Sequence, residues 1–229
     1  MDELNLDELR DQLRSSDGMT CFQAIHRVNA IRRANAATTE PLLPDLYFMY
    51  RTSASVACQS HAWAVIRNHG SIAVPFLLQL LDSPNAIDRR NAAELLLGLK
   101  HNRSRWRIQG QMLDDRPDTQ PDWNSHRGNV IQKLRDALHD PDADVRAVAA
   151  FTLDDINESD TSIVNILVDG LRSTEVMIQD ISALHLGRLG AVALAAIPAL
   201  TDLAKSNNDG ATARPALAAK NAIKRITET

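Results

Sequence analysis

Between Lys100 and Trp123 the chain gathers residue types suited to gripping a charged ligand. Lys100-His101-Asn102-Arg103-Ser104-Arg105-Trp106-Arg107 holds four basic side chains, one tryptophan and no acid. A guanidinium presents a planar fork that fits a carboxylate or phosphate through two bonds at once. An indole beside it can stack on a ring or a base. Arg103, Arg105 and Arg107 around Trp106 are therefore candidates for such a clamp. The second half, Asp114-Asp115-Arg116-Pro117-Asp118-Thr119-Gln120-Pro121-Asp122-Trp123, has four acids, two prolines and another tryptophan. Tryptophan and arginine dominate interaction hot spots, so Trp123 joins the partner-binding candidates. The same composition allows a second arrangement. The basic half would continue the preceding helix and pair with the acidic half, while Trp106 and Trp123 pin the segment down. A segment of this length without structure of its own is uncommon in a compact domain, and is usually functional or disordered.

Elsewhere the means for catalysis are sparse. Cys21 and Cys58 form neither a CxxC pair nor a metal-ligand spacing, and read as two reduced thiols in helices. His61 and His69 lie eight apart, close to one helical face, but no carboxylate or cysteine completes a ligand set between them. There is no HExxH, no phosphate-binding glycine loop and no nucleophile elbow. Asp154 and Asp155 are adjacent, so on a helix they point about 100° apart and cannot face each other as an acid–base pair. His185 falls beside a packed stripe and is expected to be a satisfied inter-helix histidine. No metal and no cofactor are expected.

The elements that carry these residues repeat. Leu138-His139-Asp140-Pro141-Asp142-Ala143-Asp144-Val145-Arg146-Ala147-Val148-Ala149-Ala150 has an earlier echo beginning at Leu81, 57 positions before, and a later one beginning at Leu171, 33 positions after. Periods in this range signal stacked helical units. Ile131, Leu134, Ala137 and Leu138 make one helical face. The same columns hold Val74, Leu77, Leu80 and Leu81; then Val164, Leu167, Gly170 and Leu171; then Ile197, Leu200, Leu203 and Ala204. Only Gly170 breaks the apolar pattern. Pro75 and Pro198 share a column early in the helix, where a missing N–H costs little. The second helices repeat as well. Val145, Val148, Ala149, Leu153 and Ile156 correspond to Ile178, Ile181, Ser182, Leu186 and Leu189. In the earlier copy Ile87 is expected to take the first apolar place from Asp88. Asp140-Pro141 and Ser83-Pro84 stop first helices. Asp142 or Asp144, Asn85 and Thr174 are the expected caps of second helices.

Each unit is thus a helical hairpin. Asp140-Pro141-Asp142-Ala143-Asp144-Val145-Arg146-Ala147-Val148-Ala149-Ala150 resembles the HEAT repeat, in the short form called the PBS-lyase HEAT-like repeat. Gly70 to Leu81, and Gly187-Arg188-Leu189-Gly190 followed by Ile197-Pro198-Ala199-Leu200, resemble it again. The resemblance runs from Ser71 to about Ile226, minus the insertion. It implies an all-α fold, an α-solenoid of stacked hairpins. It also implies that Asp144 and Arg146, with Arg89 in the aligned column, link neighbouring repeats. Upstream, Leu42 to Tyr50 and Val56 to Arg67 form one more degenerate pair, with Val56, Ser60, Trp63 and Arg67 at helical spacing. Residues 1–40 are expected to be a helical cap. Residues 41–229 are expected to be the array, interrupted by the insertion at 100–127.

A net charge of −4 argues against a whole-surface nucleic-acid footprint. The first residues, Met1-Asp2-Glu3-Leu4, are acidic and lack an apolar core for a secretory signal. No apolar run is expected to approach a membrane span, and a cytoplasmic location follows by default. The leading expectation is a non-catalytic protein-binding or scaffold protein. A concave groove lined by second helices, carrying Arg90, Glu94, Gln179 and Asp180, would hold a protein partner together with the insertion. The family resemblance implies a first rival, a helper that holds a bilin during attachment to its carrier. The second rival is nucleic-acid binding through Lys100–Arg107, which predicts steep salt dependence.

Overall fold

The computed structural model describes residues 5–100, 107–108, 111–112, 124–156, 161–205 and 213–228. Its contacts divide the chain into two compact units. One comprises Met1–Gln79 with Gly98–Arg127, and the other Leu80–Leu97 with Gly128–Thr229.

The first unit contains α1 (Leu6–Leu13), α2 (Gly18–Ala34), the short α3 (Ala36–Thr39), α4 (Leu43–Thr52), α5 (Val56–Asn68) and the start of α6 (Val74–Leu81). α1 and α2 form one hairpin and α4 and α5 a second, with α2 packed on α5 and α1 on α4. Leu9, Leu13, Ile25, Val28, Leu46 and Ile66 fill the core. Asp45, buried on α4, accepts hydrogen bonds from Arg10 Nε at 3.1 Å and Arg14 Nε at 2.6 Å. One carboxylate thereby ties α1 to α4. Val56 is 74% exposed, so the expected stripe Val56–Ser60–Trp63–Arg67 is not the core face of α5. Cys58, Ala62, Val65 and Ile66 take that place. Val56 directly follows the capping Ser55, at the solvent end of the helix.

The second unit contains α7 (Ala86–Lys100) up to Leu97, α8 (Asn124–Ala137) from Gly128, α9 (Ala143–Asp155), α10 (Ile163–Gly170), α11 (Val176–Leu189), α12 (Ile197–Lys205) and α13 (Ala213–Thr227). The second helices α9, α11 and α13 lie side by side, while α10 packs on α9 and α11, and α12 on α13. The apolar columns read from the sequence meet in this core: Leu134, Val145, Leu167, Ile178, Leu186 and Leu200 are all fully buried. Gly170 has a physical reason to interrupt its column. A Cβ there would collide with the Ser182 hydroxyl and crowd Ala147 Cβ. Within the insertion, Arg107–Ile108 (β1) pairs antiparallel with Gln111–Met112 (β2) in a two-residue ladder.

One local device closes the turns in both units. In five of the described turns the opening residue accepts the N–H two places on with its side chain. Its carbonyl accepts a side-chain donor six places on. Ser53 Oγ accepts from Ser55 N, and Gln59 Nε2 donates to Ser53 O at 2.7 Å. Ser83 Oγ accepts from Asn85 N, and Arg89 Nη1 donates to Ser83 O at 2.9 Å. Asp140 Oδ1 accepts from Asp142 N, and Arg146 Nη1 donates to Asp140 O at 2.8 Å. Ser173 Oγ accepts from Glu175 N, and Gln179 Nε2 donates to Ser173 O at 2.7 Å. The first turn of the chain follows the same rule: Ser15 Oγ accepts from Asp17 N, and Cys21 Sγ donates to Ser15 O at 2.9 Å. Burial, then the nearness of Cys58 and Asp17, raises the Cys21 thiol above its ordinary value, which keeps it a donor. The α1–α2 hairpin therefore carries the turn chemistry of the repeats.

Two details of capping and burial differ from expectation. Asp142 caps α9, accepting from Asp144 N and Val145 N. Thr174 does not cap α11: Glu175 is the cap residue, without a side-chain bond, and the Ser173 hydroxyl takes its N–H. Asp88, not Ile87, occupies the inner position on α7. Ile87 is 47% exposed, whereas Asp88 is buried and accepts from Ser83 Oγ at 3.0 Å.

The helical stretch from Val176 through Lys205 contains an 18-residue window of mean hydropathy 1.6 and is long and apolar enough to cross a membrane, against the expectation that no run approaches that length. In this fold it is two helices of successive hairpins. A 3-10 turn (Gly190–Ala196) joins α11 to α12, and Gly190 opens it at φ 57°, a left-handed conformation that glycine adopts without strain. The hydropathy reflects two core-facing helices in series.

Candidate protein-binding surface

The inter-repeat ties of the second unit lie at its turns. Arg89 Nε and Nη2 donate to Asp140 Oδ2 and Oδ1 at 2.6 and 2.8 Å, a two-pronged pair reaching from one turn to the next. Burial alone would raise the Asp140 carboxyl. The hydrogen bonds from Arg89 and from the Asp142 N–H, with the charges of Arg89 and Arg146, outweigh it and hold the group below its ordinary value. Asp144 Oδ1 accepts from Ser173 Oγ at 2.7 Å, a second tie. Arg146 serves its own turn only, donating to the carbonyls of Asp140 and Pro141. Asp140, at the centre of this chemistry, was read from the sequence only as the residue before a helix-stopping proline.

The candidates on the second helices fall into two groups. Arg90 on α7 approaches Asp144 at 4.0 Å and Glu175 at 3.8 Å, both beyond hydrogen-bond reach, and its buried Nε has no hydrogen-bond partner among the described residues. One turn on, burial pushes the Glu94 carboxyl above its ordinary value, opposed by the charge of Arg90. Gln179 is engaged in its turn, and Asp180 is not: Arg214 Nε of α13 lies 2.8 Å from Asp180 Oδ2. Arg103, Arg105, Trp106 and Trp123 lie outside the described residues. Arg107 is placed by its backbone, in β1.

Sequence reasoning missed a buried pair between α9 and α11. His185 Nδ1 meets Asp154 Oδ2 at 2.5 Å, and the imidazole stacks on Phe151 at 5.6 Å between centroids. Arg188 spans the neighbouring carboxylates, 3.6 Å from Asp154 and 2.9 Å from Asp155. The two aspartates thus share one guanidinium and do not face each other as an acid–base pair. The 31-residue separation of Asp154 and His185, close to the repeat period, was the available signal. Among the described residues no hydroxyl or thiol is bonded to His185, and no group of three or more His, Cys, Asp or Glu is placed to hold a metal. In the first unit, Phe22, His26 and His61 form a surface ring cluster with centroids 4.5–5.4 Å apart.

Beside Asp180 the α11 and α13 helices leave a cleft of about 260 Å³, lined by Asp180, Leu184, Gly187, Arg214, Ala218, Asn221, Ala222 and Arg225. The close approach of the helices depends on Gly187. A Cβ there would stand 2.9 Å from Ala222 Cα, a backbone atom that cannot step aside. Gly187→Ala should therefore force the helices apart and cost about 1–3 kcal/mol, measured as a shift of the urea midpoint. Leu184 is 47% exposed on this face, and Leu217, on α13, 59%.

Stacked hairpins tied turn to turn define an α-helical repeat protein. Residues 131–219 match the family of HEAT repeats. Among curated proteins none matches. An engineered protein of known crystal structure is 20% identical, covering 98% of both chains with a TM-score of 0.47. The complex of CpcE and CpcF of phycocyanin lyase from Nostoc sp. PCC7120 is 17% identical, covering 99% of this chain and 96% of that one, with a TM-score of 0.34.

Proposed function

We propose that this chain is a non-catalytic binding protein whose ligand is another protein, held on the second-helix face of α11 and α13. The observation that supports it is the cleft beside Asp180, where exposed Leu184 stands among charged residues. An apolar centre with a polar rim is the anatomy of a protein interface. The insertion at 100–127, with its tryptophans and arginines, would extend the grip. The partner would be recovered with the wild-type chain and its affinity then measured against two variants. Leu184→Glu/Leu217→Glu changes only exposed side chains and should weaken binding at least tenfold with the thermal midpoint unchanged. Deletion of residues 102–124 should leave folding intact and also weaken the partner. Unchanged affinity of the first variant removes this face from the proposal. A catalytic turnover by the purified chain that is lost in His185→Asn removes its non-catalytic character.

A further inference from the structure

The last helix carries charge of one sign. Between Ala213 and Thr227, α13 has Arg214, Lys220, Lys224 and Arg225 and no acid, in a chain whose net charge is −4. Lys224 and Arg225 stand in the last turn, where the helix dipole favours a cation. The dipole does not account for the other two. Arg214 is in the first turn, where the dipole opposes a cation, and Lys220 is in the middle. Arg214 is 82% exposed and rims the α11–α13 cleft through its pair with Asp180. Arg214, Leu217, Ala218 and Asn221 follow one another at helical spacing, so cationic and apolar side chains share one face.

We propose that this face docks an acidic peptide segment bearing a bulky apolar side chain. The proposal rests on the protein-binding reading and names the partner's chemistry. The apolar side chain would seat on Leu184 and Ala218, and the flanking carboxylates would meet Arg214 and Arg225, the cations that line the cleft. At about 260 Å³ the cleft is below the usual range for a drug-sized ligand and suits a side-chain anchor. α13 has no aromatic residue on which a base could stack, which favours a peptide over single-stranded nucleic acid.

The test is fluorescence polarisation of the full chain with three labelled probes. One is a peptide of about a dozen residues in repeating Asp-Leu-Glu triplets, an extended or helical anchor-bearing ligand. The second replaces its acids with lysine, and the third is a single-stranded DNA oligonucleotide. The acidic peptide should bind below about 100 µM and weaken severalfold as salt rises from about 0.05 to 0.5 M. Arg214→Glu, at an 82% exposed side chain on the cleft rim, should weaken it at least tenfold without changing the circular dichroism melt, and Leu184→Ser should weaken it as well. Equal binding of the lysine peptide overturns the acidic chemistry while leaving peptide docking in place. Acidic-peptide binding that the Arg214 variant does not weaken overturns the choice of face. Binding of the oligonucleotide alone overturns both this inference and the protein-binding reading.

Discussion

Replacing Arg89 with alanine should lower the stability of the fold by about 3 kcal/mol, the lower end of the cost of breaking a buried charge pair. The Arg89 and Asp140 side chains are only 14% and 8% exposed. Alanine would leave Asp140 buried with the Asp142 N–H as its remaining close donor, which is why the cost stays at the lower end. The same change removes the donor that closes the Ser83 turn. Arg89→Lys should recover part of the loss, because an ammonium keeps the charge and loses the fork. Urea unfolding should show a lower midpoint with an unchanged slope. An unchanged midpoint in Arg89→Ala would mean that the pair contributes nothing net. The pair also carries a pH signature. The folded Asp140 carboxyl is held below its ordinary 3.8. Its contribution is full above that value and is lost as pH falls through the folded value.

The second large effect is a loss of stability on mild acidification, centred on His69. Its side chain is buried, with Nδ1 bonded to Val65 O at 2.8 Å and Nε2 2.9 Å from Thr39 Oγ1. Burial lowers its pKa from 6.5 to about 4; the Val65 carbonyl opposes the shift and the Arg32 charge adds to it. Above pH 6.5 the imidazole is neutral whether the chain is folded or not, and it adds no pH dependence. Between 6.5 and about 4 only the unfolded chain takes up the proton, so folding weakens; below about 4 the loss levels off. The full loss is about 3 kcal/mol, and most of it is reached by pH 4.5. Urea unfolding at pH 7.5 and 4.5, for the wild type and His69→Gln, isolates it from the carboxylates. Equal pH dependence in the two proteins would show that His69 is not responsible.

How far each feature could be read depended on the range of the interaction behind it. The apolar columns through Leu134, Leu167 and Leu200 were legible because burial of one helix face imposes a period on the residues themselves. The turn at Asp140 was legible because proline, aspartate and a short spacing act locally. The equivalent turn at Ser15 was not. Its closing donor is Cys21, where later turns use Gln59, Arg89, Arg146 and Gln179. A backbone carbonyl accepts any donor that reaches it, so the geometry repeats where the letters do not. Asp88 looked like a flaw in a stripe because its partner, the Ser83 hydroxyl, is a turn residue with no mark of that role. The Asp154–His185 pair joins two helices through one residue each, and its only mark in the sequence is a separation near the repeat period. The second-helix candidates Asp180 and Glu94 were visible as surface positions. The cleft that sets Asp180 against Arg214 comes from the close packing of Gly187 on Ala222, a contact that exists only in three dimensions.

The pairing of Arg89 with Asp140 spans 51 positions of chain, and the residues it joins flank the long interruption between α7 and α8. The register of these two turns is thus fixed by groups outside the interruption, and what the tie asks of the intervening chain is that its ends meet. Polymer entropy makes that requirement lenient: each doubling of a flexible loop costs about 0.6 kcal/mol. The segment is therefore a permissive graft site. A peptide epitope or a small folded domain placed there should be carried at little thermodynamic cost, and natural variants of this chain have room to differ in length at this one point while keeping every turn intact.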